Sequence, residues 1–173
     1  MLSVRIEHVS RSDLQRAVEL INRTNQFNLC GSRVTQADLE KGLGQTHWVL
    51  TVNASDKFGS MGIVGVMLVR KDSGHLEIPV FVLSCRVFGF GIEFALLNAV
   101  RDLAPPNHSL VGLYRETAHN EPCRDFYAKA GLTWNGSRWV GTPRHLVENP
   151  AWLTVVSPSA SSLPAHRIVE YSR

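Results

Sequence analysis

The sequence predicts an α/β domain built around one central sheet, and three observations carry that prediction. Runs with β-type patterning alternate with runs of helical spacing from end to end of the 173 residues. The run Gly62–Arg70 is so apolar that a strand there needs cover on both faces. The run His75–Leu83 stops at Ser84-Cys85 and passes into Arg86-x-x-Gly89-x-Gly91 and then into helical periodicity. A strand, a glycine turn and a helix in that order place bare main-chain amides and a positive helix end together, which is how a phosphate is held. Glycine pairs of this kind are also common in plain strand-to-helix turns, so the motif needs its context.

In chain order, Val4–Val9 alternates apolar and polar residues and predicts a first strand. Ser10 and Asp13 form an approximate capping box, after which Leu14, Ala17, Val18 and Ile21 share a helix face. Amides crowd Asn22–Asn28, and Thr35 with Asp38 predicts the cap of a second, short helix. Trp48–Asn53 reads as a strand and Ala54–Ser60 as a polar hairpin turn. Lys71-Asp-Ser-Gly74 turns the chain into His75–Leu83. Ile92, Ala95, Leu96, Ala99 and Leu103 form one helix face, which Pro105-Pro106 stops. Leu110–Arg115 predicts a strand. Asn120 is a suitable N-cap, with Pro122 in the first turn, for a helix that ends at Gly131. Leu132–Val140 predicts a last strand or hairpin.

Composition bounds what such a domain does. The formal charge of +3 is mild and is compatible with an acidic partner without predicting one. No Lys/Arg run interleaved with aromatics argues for nucleic acid. Neither a secretory signal nor a membrane span is expected. Cys30, Cys85 and Cys123 are odd in number and widely spaced, which fits a reducing cytoplasm and argues against disulfide staples or a metal site. Residues 1–155 are expected to form the domain, with 156–173 as a Ser- and Pro-containing tail.

The glycine turn and the later run Thr117-Ala-His-Asn120 … Phe126-Tyr127 … Gly131 together resemble the GNAT acyltransferase superfamily. Asn25-Gln-Phe-Asn-Leu29, Gly62-Ile-Val-Gly65, Leu83-Ser-Cys-Arg86 and Pro150-Ala-Trp-Leu153 bring it nearest to the acyltransferase-like C-terminal part of FkbH-like proteins, over residues 4–155. The resemblance implies the GNAT fold, a mixed and mostly antiparallel sheet with one splayed strand pair and flanking helices. It also implies acyl transfer from a phosphopantetheine thioester on an acyl carrier protein or on coenzyme A. The acceptor would be a small polar molecule, an amine foremost, in specialised-metabolite biosynthesis. No metal is implied.

Roles follow position by position. The amides around Gly89, Phe90 and Gly91, with Arg86 and Phe88, would hold the phosphate. Unpaired main chain at Phe81, Val82 and Leu83 would hold the arm and offer an oxyanion donor, with Asn120 nearby. Tyr127 matches the residue that protonates the departing thiolate, although spacing alone reads it as a core tyrosine. Glu77 and His119 are candidate bases, each also readable as a surface group. Cys85, beside Arg86 and a helix start, is a candidate acyl acceptor or a plain buried thiol. Asn25, Gln26 and Asn28 would bind the acceptor, or simply cap and turn the chain. Phe90 stands where FkbH-like sequences carry a basic residue, which favours a carrier-protein arm over coenzyme A. Two other readings stay open: loading of a glyceryl-type unit onto a carrier protein, and a carrier-binding module without turnover.

Overall fold

In the computed structural model, which describes residues 2–158, eight strands form one sheet. They are β1 (Leu2–His8), β2 (His47–Asp56), β3 (Gly59–Asp72), β4 (His75–Leu83), β5 (Ser109–Gly112), β6 (Thr133–Trp134), β7 (Trp139–Gly141) and β8 (Leu153–Val156). Their spatial order is β6-β7-β5-β4-β3-β2-β1-β8. Only β4–β5 and β1–β8 pair in parallel, so the sheet is mixed and mostly antiparallel. Helices α1 (Leu14–Arg23) and α2 (Gln36–Glu40) lie on one face, and α3 (Ile92–Leu103) and α4 (Phe126–Lys129) on the other.

The apolar pattern explains both layers. Leu14, Ala17, Leu20 and Ile21 of α1 pack with Leu39 against Ile63, Val66, Leu68, Val80 and Val82. On the other face Ile92, Ala95, Leu96, Ala99 and Leu103 of α3 cover Val64, Met67, Val69 and Leu76. Strand β3 is buried on both sides, as its unbroken apolar run requires. The predicted capping box opens α2: Thr35 N–H donates to Asp38 Oδ2 at 2.7 Å, and Asp38 N–H donates to Thr35 Oγ1 at 3.2 Å.

Strand β4 carries a bulge. Between the Leu68↔Val80 and Arg70↔Glu77 pairs, β3 advances two residues and β4 three. The added residue falls at Ile78-Pro79, where proline has no N–H to lose from the ladder. Pairing of β4 with β5 ends at the same level, with Ile78↔Gly112. Beyond it the two parallel strands part, which is the splay that the resemblance implied.

Several expected boundaries move. Strand β2 runs on to Asp56, so the hairpin turn is only Lys57-Phe58 rather than Ala54–Ser60. After β4 the chain makes a 3₁₀ turn, Cys85–Val87, before α3 begins at Ile92. Asn120 does not cap a long helix: a 3₁₀ turn at Glu121–Cys123 precedes a four-residue α4, because the Asn120 side chain is drawn elsewhere. Strand β8 pairs with β1 through Arg5↔Val156 and so reaches one residue into the expected tail, 156–173. The tail from residue 159 to 173 lies outside the described residues.

Gly112 ends β5 directly against the Tyr127 ring, where an added Cβ would lie 2.5 Å from Cε1. Tyr127 is fully buried and has no room to retreat. Gly112→Ala is therefore expected to destabilise the domain by about 1–3 kcal/mol, read from the urea midpoint. An unmoved midpoint would contradict this packing.

Candidate functional site

The splay between β4 and β5 is filled by the chain itself. Residues Phe27–Leu29, in the link between α1 and α2, run antiparallel to β4 with Asn28 opposite Val82. Leu29 N–H donates to Phe81 O at 3.1 Å, and Leu83 N–H donates to Phe27 O at 3.0 Å. On the β5 side, Arg115 N–H donates to Leu29 O at 2.9 Å. Asn120, wholly buried, gives its side-chain N–H groups to the carbonyls of Asn28 and Arg115, at 2.9 and 3.0 Å. Its oxygen accepts from Thr117 N–H at 2.8 Å. Arg115 Nε donates to Cys30 O at 2.9 Å. The β4 amides and carbonyls expected to be free are thus partnered, because the link segment reaches them first.

Beneath this segment lies Tyr127. Its hydroxyl is buried without a hydrogen-bond partner, and burial holds its pKa well above the ordinary phenol value. The neighbouring Cys30 and Cys123 thiols are pushed up to about 11, also chiefly by burial. Both donate to main-chain carbonyls, Cys30 to Leu113 O and Cys123 to Gln26 O and Asn120 O.

Above the segment opens a cavity of about 540 Å³. Asn25, Gln26, Leu83, Cys85 and His119 all line it, with Arg23, Thr24, Phe27 and Ser84. Five sequence-predicted residues from three distant parts of the chain therefore meet at one opening. Glu77 does not join them. Its carboxylate is 3.1 Å from Arg70 Nη1 on the neighbouring strand, in an ion pair. Asn28 is buried and turns its side chain onto Thr24 O, Ser32 O and Ser32 N–H, so its amide supports the link and faces no acceptor.

The glycine turn borders the same end of the sheet. Gly89 and Gly91 have φ of 84° and 82°, in the left-handed region that favours glycine. Space around Gly89 is open, whereas a Cβ on Gly91 would meet Pro150 Cγ at 2.5 Å. Phe90 N–H is committed to Val87 O, so it is not available to a phosphate as expected. Arg86 donates from Nη2 to Met61 O at 3.3 Å, holding its charge beside the turn. Glu93, in the first turn of α3, was not anticipated. Burial raises its pKa, while the amides of Glu93 and Gly91 oppose that shift. Its carboxyl occupies the place where an incoming anion would meet the helix end.

No family model matches the sequence, and no curated protein matches it. Solved structures do match the fold. An acetyltransferase of the GNAT family from Staphylococcus aureus Mu50 superposes with a TM-score of 0.55 at 16% identity, covering 79% of this chain and 96% of that one. The chain has the GNAT fold. The ribosomal-protein-S18-alanine N-acetyltransferase from Escherichia coli gives 0.55 at 11% identity, over 79% of this chain and 88% of its own. The spermidine N-acetyltransferase from Vibrio cholerae, solved with CoA and spermine, gives 0.55 at 14% identity, over 79% and 91%.

Within this GNAT frame, sequence patterning missed the link segment as a sheet member. Its only signal was the run Asn25-Gln-Phe-Asn-Leu29, in which Phe27 and Leu29 alternate with amides as an inserted strand would. Among the described residues no helix is long and apolar enough to cross a membrane, and no group of three His, Cys, Asp or Glu is placed to hold a metal ion.

Exposure separates the three thiols. Cys85 is exposed, whereas Cys30 and Cys123, with pKa values near 11, remain protonated at pH 8. Brief native treatment with iodoacetamide at pH 8 should add one carbamidomethyl group, at Cys85. Equal labelling at Cys30 or Cys123 by peptide mapping would contradict the described packing.

Proposed function

We propose that the protein is a GNAT-type acyltransferase that moves an acyl group from a phosphopantetheine thioester to a small polar acceptor, foremost an amine. The observation that carries this is the convergence of Asn25, Gln26, Leu83, Cys85 and His119 on one cavity beside the open Gly89 turn. The fold is shared with N-acetyltransferases, and the V. cholerae spermidine N-acetyltransferase named above was solved with CoA and spermine, a polyamine.

The chemistry divides among the chain's own groups. The acceptor enters the cavity between Asn25, Gln26 and His119. Its nitrogen attacks the thioester carbonyl, and His119, directly or through a water, takes the proton released. Leu83 N–H, freed from Phe27 O, is the main-chain donor aimed at the oxyanion. The carbon–sulfur bond then breaks and the thiolate takes a proton from Tyr127. The phenol recovers a proton from the pool that His119 received, so the net reaction is thioester plus amine to amide plus thiol. Burial raises the phenol pKa and makes transfer to a thiolate, the weaker base, uphill, so the step requires departure of Phe27–Leu29 to open Tyr127 to the site and bring its hydroxyl back toward an ordinary phenol.

This route requires Phe27–Leu29 to leave β4, since each main-chain group there bonds once to the segment or once to the arm. Net bonds of about 1 kcal/mol each make that exchange feasible, because the arm restores what the segment gives up. Direct transfer is the default. Cys85, exposed on the same cavity, is the candidate for a covalent relay. The carrier-protein donor, the glyceryl-loading direction and the specialised-metabolite setting come from the FkbH-like resemblance alone, and the structures named above do not bear on them. The rival of a thioester-binding module without turnover needs the same exchange on β4, so turnover, not binding, separates the two.

Intact-mass analysis of the protein with acyl-CoA, acyl carrier protein and a panel of amines tests the proposal. Expected is a new amide with loss of the thioester. Binding without mass change would establish the non-catalytic module instead. Tyr127→Phe should lower turnover by about 10²-fold while leaving the melting temperature intact, because the hydroxyl removed has no partner. Undiminished turnover would remove Tyr127 from the mechanism.

A further inference from the structure

We propose that the acceptor is an amine that carries its own anionic group, a carboxylate or a phosphate, and that Arg23 recognises that group at the wall of the cavity beside Leu83. The inference rests on the acyl-transfer reading of that cavity and deepens it. What it adds is the charge of the molecule admitted.

The polar groups left unengaged at this cavity are chiefly donors. Arg23 stands in the last turn of α1, exposed, and its guanidinium has no hydrogen-bond or ion-pair partner among the described residues. Asn25 Oδ1 accepts from Arg33 Nη2 at 2.6 Å, which leaves only the N–H groups of that amide to give. Ser84 Oγ accepts from Arg86 Nε at 3.3 Å, so its O–H is the part still free to donate. Thr24 spends its hydroxyl on Leu20 O at 2.7 Å and takes no part. Among the described residues of the lining, none is an Asp or a Glu.

The carboxylates nearby are engaged elsewhere, and the cations are not. Glu19, one turn before Arg23 on α1, lies 3.0 Å from Arg16, and Glu116 lies 2.7 Å from Arg124. Glu121, two residues past His119, is not part of the lining. Arg23, Arg33 and Arg86 form no ion pair among the described residues. Arg86 belongs to the turn that meets the donor. Arg33 gives Nη1 to Ser32 O at 2.9 Å and Nη2 to Asn25, so its uncompensated charge stands behind Asn25. Arg23 and Arg33 remain for the acceptor.

A wall of cations and donors without carboxylates attracts an anion and repels a polycation. A guanidinium adds a paired set of N–H groups that fits the oxygens of a carboxylate or a phosphate. Arg23 and Asn25 come from the α1 side of the opening, whereas Leu83 ends β4 and His119 follows β5. An acceptor spanning the cavity therefore sets its anionic end on the α1 side and its nitrogen beside the oxyanion donor and the base. The same cations disfavour the ammonium relative to the free amine, the form whose lone pair attacks the thioester. The rival acceptor, a polyamine, would bring several positive charges to a lining that offers no negative one.

Turnover of β-alanine, 2-aminoethyl phosphate, β-alaninamide and putrescine, with acyl-CoA and with acyl carrier protein, tests this on the full chain. Expected is a kcat/KM for one or both anionic amines about tenfold or more above the other two, the size of one charge-assisted hydrogen bond, expressed in KM. A lead for β-alanine identifies the anion as a carboxylate, and a lead for 2-aminoethyl phosphate as a phosphate. Arg23→Ala should remove most of that lead, Arg23→Lys should keep part of it, and Arg23→Glu should turn the preference toward putrescine. Arg23 is exposed and unpartnered, so these variants keep the fold. Equal losses for all four amines would overturn its role in recognition. Use of β-alaninamide or putrescine as good as that of the anionic amines overturns the inference and leaves acyl transfer standing. Calorimetric binding of an anionic amine that is lost in Arg23→Ala, with no amide formed from any amine, overturns acyl transfer and keeps the anion site. Neither turnover nor binding overturns both.

Discussion

The edge of β4 beyond its bulge has a fixed number of main-chain hydrogen-bonding groups, and each must find a partner when buried. That constraint organises the molecule. Because Pro79 and the added residue at the bulge break step with β5, Phe81 O and Leu83 N–H face a gap instead of a neighbouring strand. Left empty in an apolar core, such groups would each cost roughly 1–3 kcal/mol. The link between α1 and α2 satisfies them, and in doing so carries Asn25 and Gln26 to the wall of the adjoining cavity. The partner of the β4 edge and one wall of the cavity are therefore made from one stretch of chain, and a change in either is felt in the other.

Asn120 and Arg115 hold this arrangement from the β5 side. Asn120 bonds to carbonyls of both the link and the strand end, so it ties together the two sides of the splay. Its burial explains why the residue serves as a clamp and not as the helix cap that its position before Glu121-Pro122 suggested. Tyr127 and the two high-pKa thiols lie behind that clamp, sequestered until the link moves. In the proposed mechanism, a proton donor kept out of contact with water and substrate requires a site assembled by its ligand.

Much of the fold was legible because it rests on local pattern. The period of α1 and α3, the Thr35/Asp38 box, and the double-sided burial of β3 are each written in neighbouring residues. So is the glycine turn, since left-handed φ at Gly89 and Gly91 admits few other residues. What pattern could not show depends on contacts distant in sequence. Phe27-Asn-Leu29 is too short to announce a strand and acquires that role only from the unpaired edge of β4. Glu77 alternates plausibly along β4 yet pairs with Arg70, because the register with β3 sets them opposite each other. Strand β8 needs β1 beside it, and the four-residue α4 is shorter than its composition allows because Asn120 is engaged elsewhere.

The central claim is that the link segment and the donor arm compete for the same groups on β4. Hydrogen exchange at the Leu29, Leu83 and Arg115 amides, with and without coenzyme A, measures this directly. The account predicts that the donor strips protection from Leu29 and Arg115, whose acceptors are in or bonded by the link, while Leu83 stays protected by its new partner. Full protection at all three amides with the donor bound would place the arm elsewhere and contradict the account.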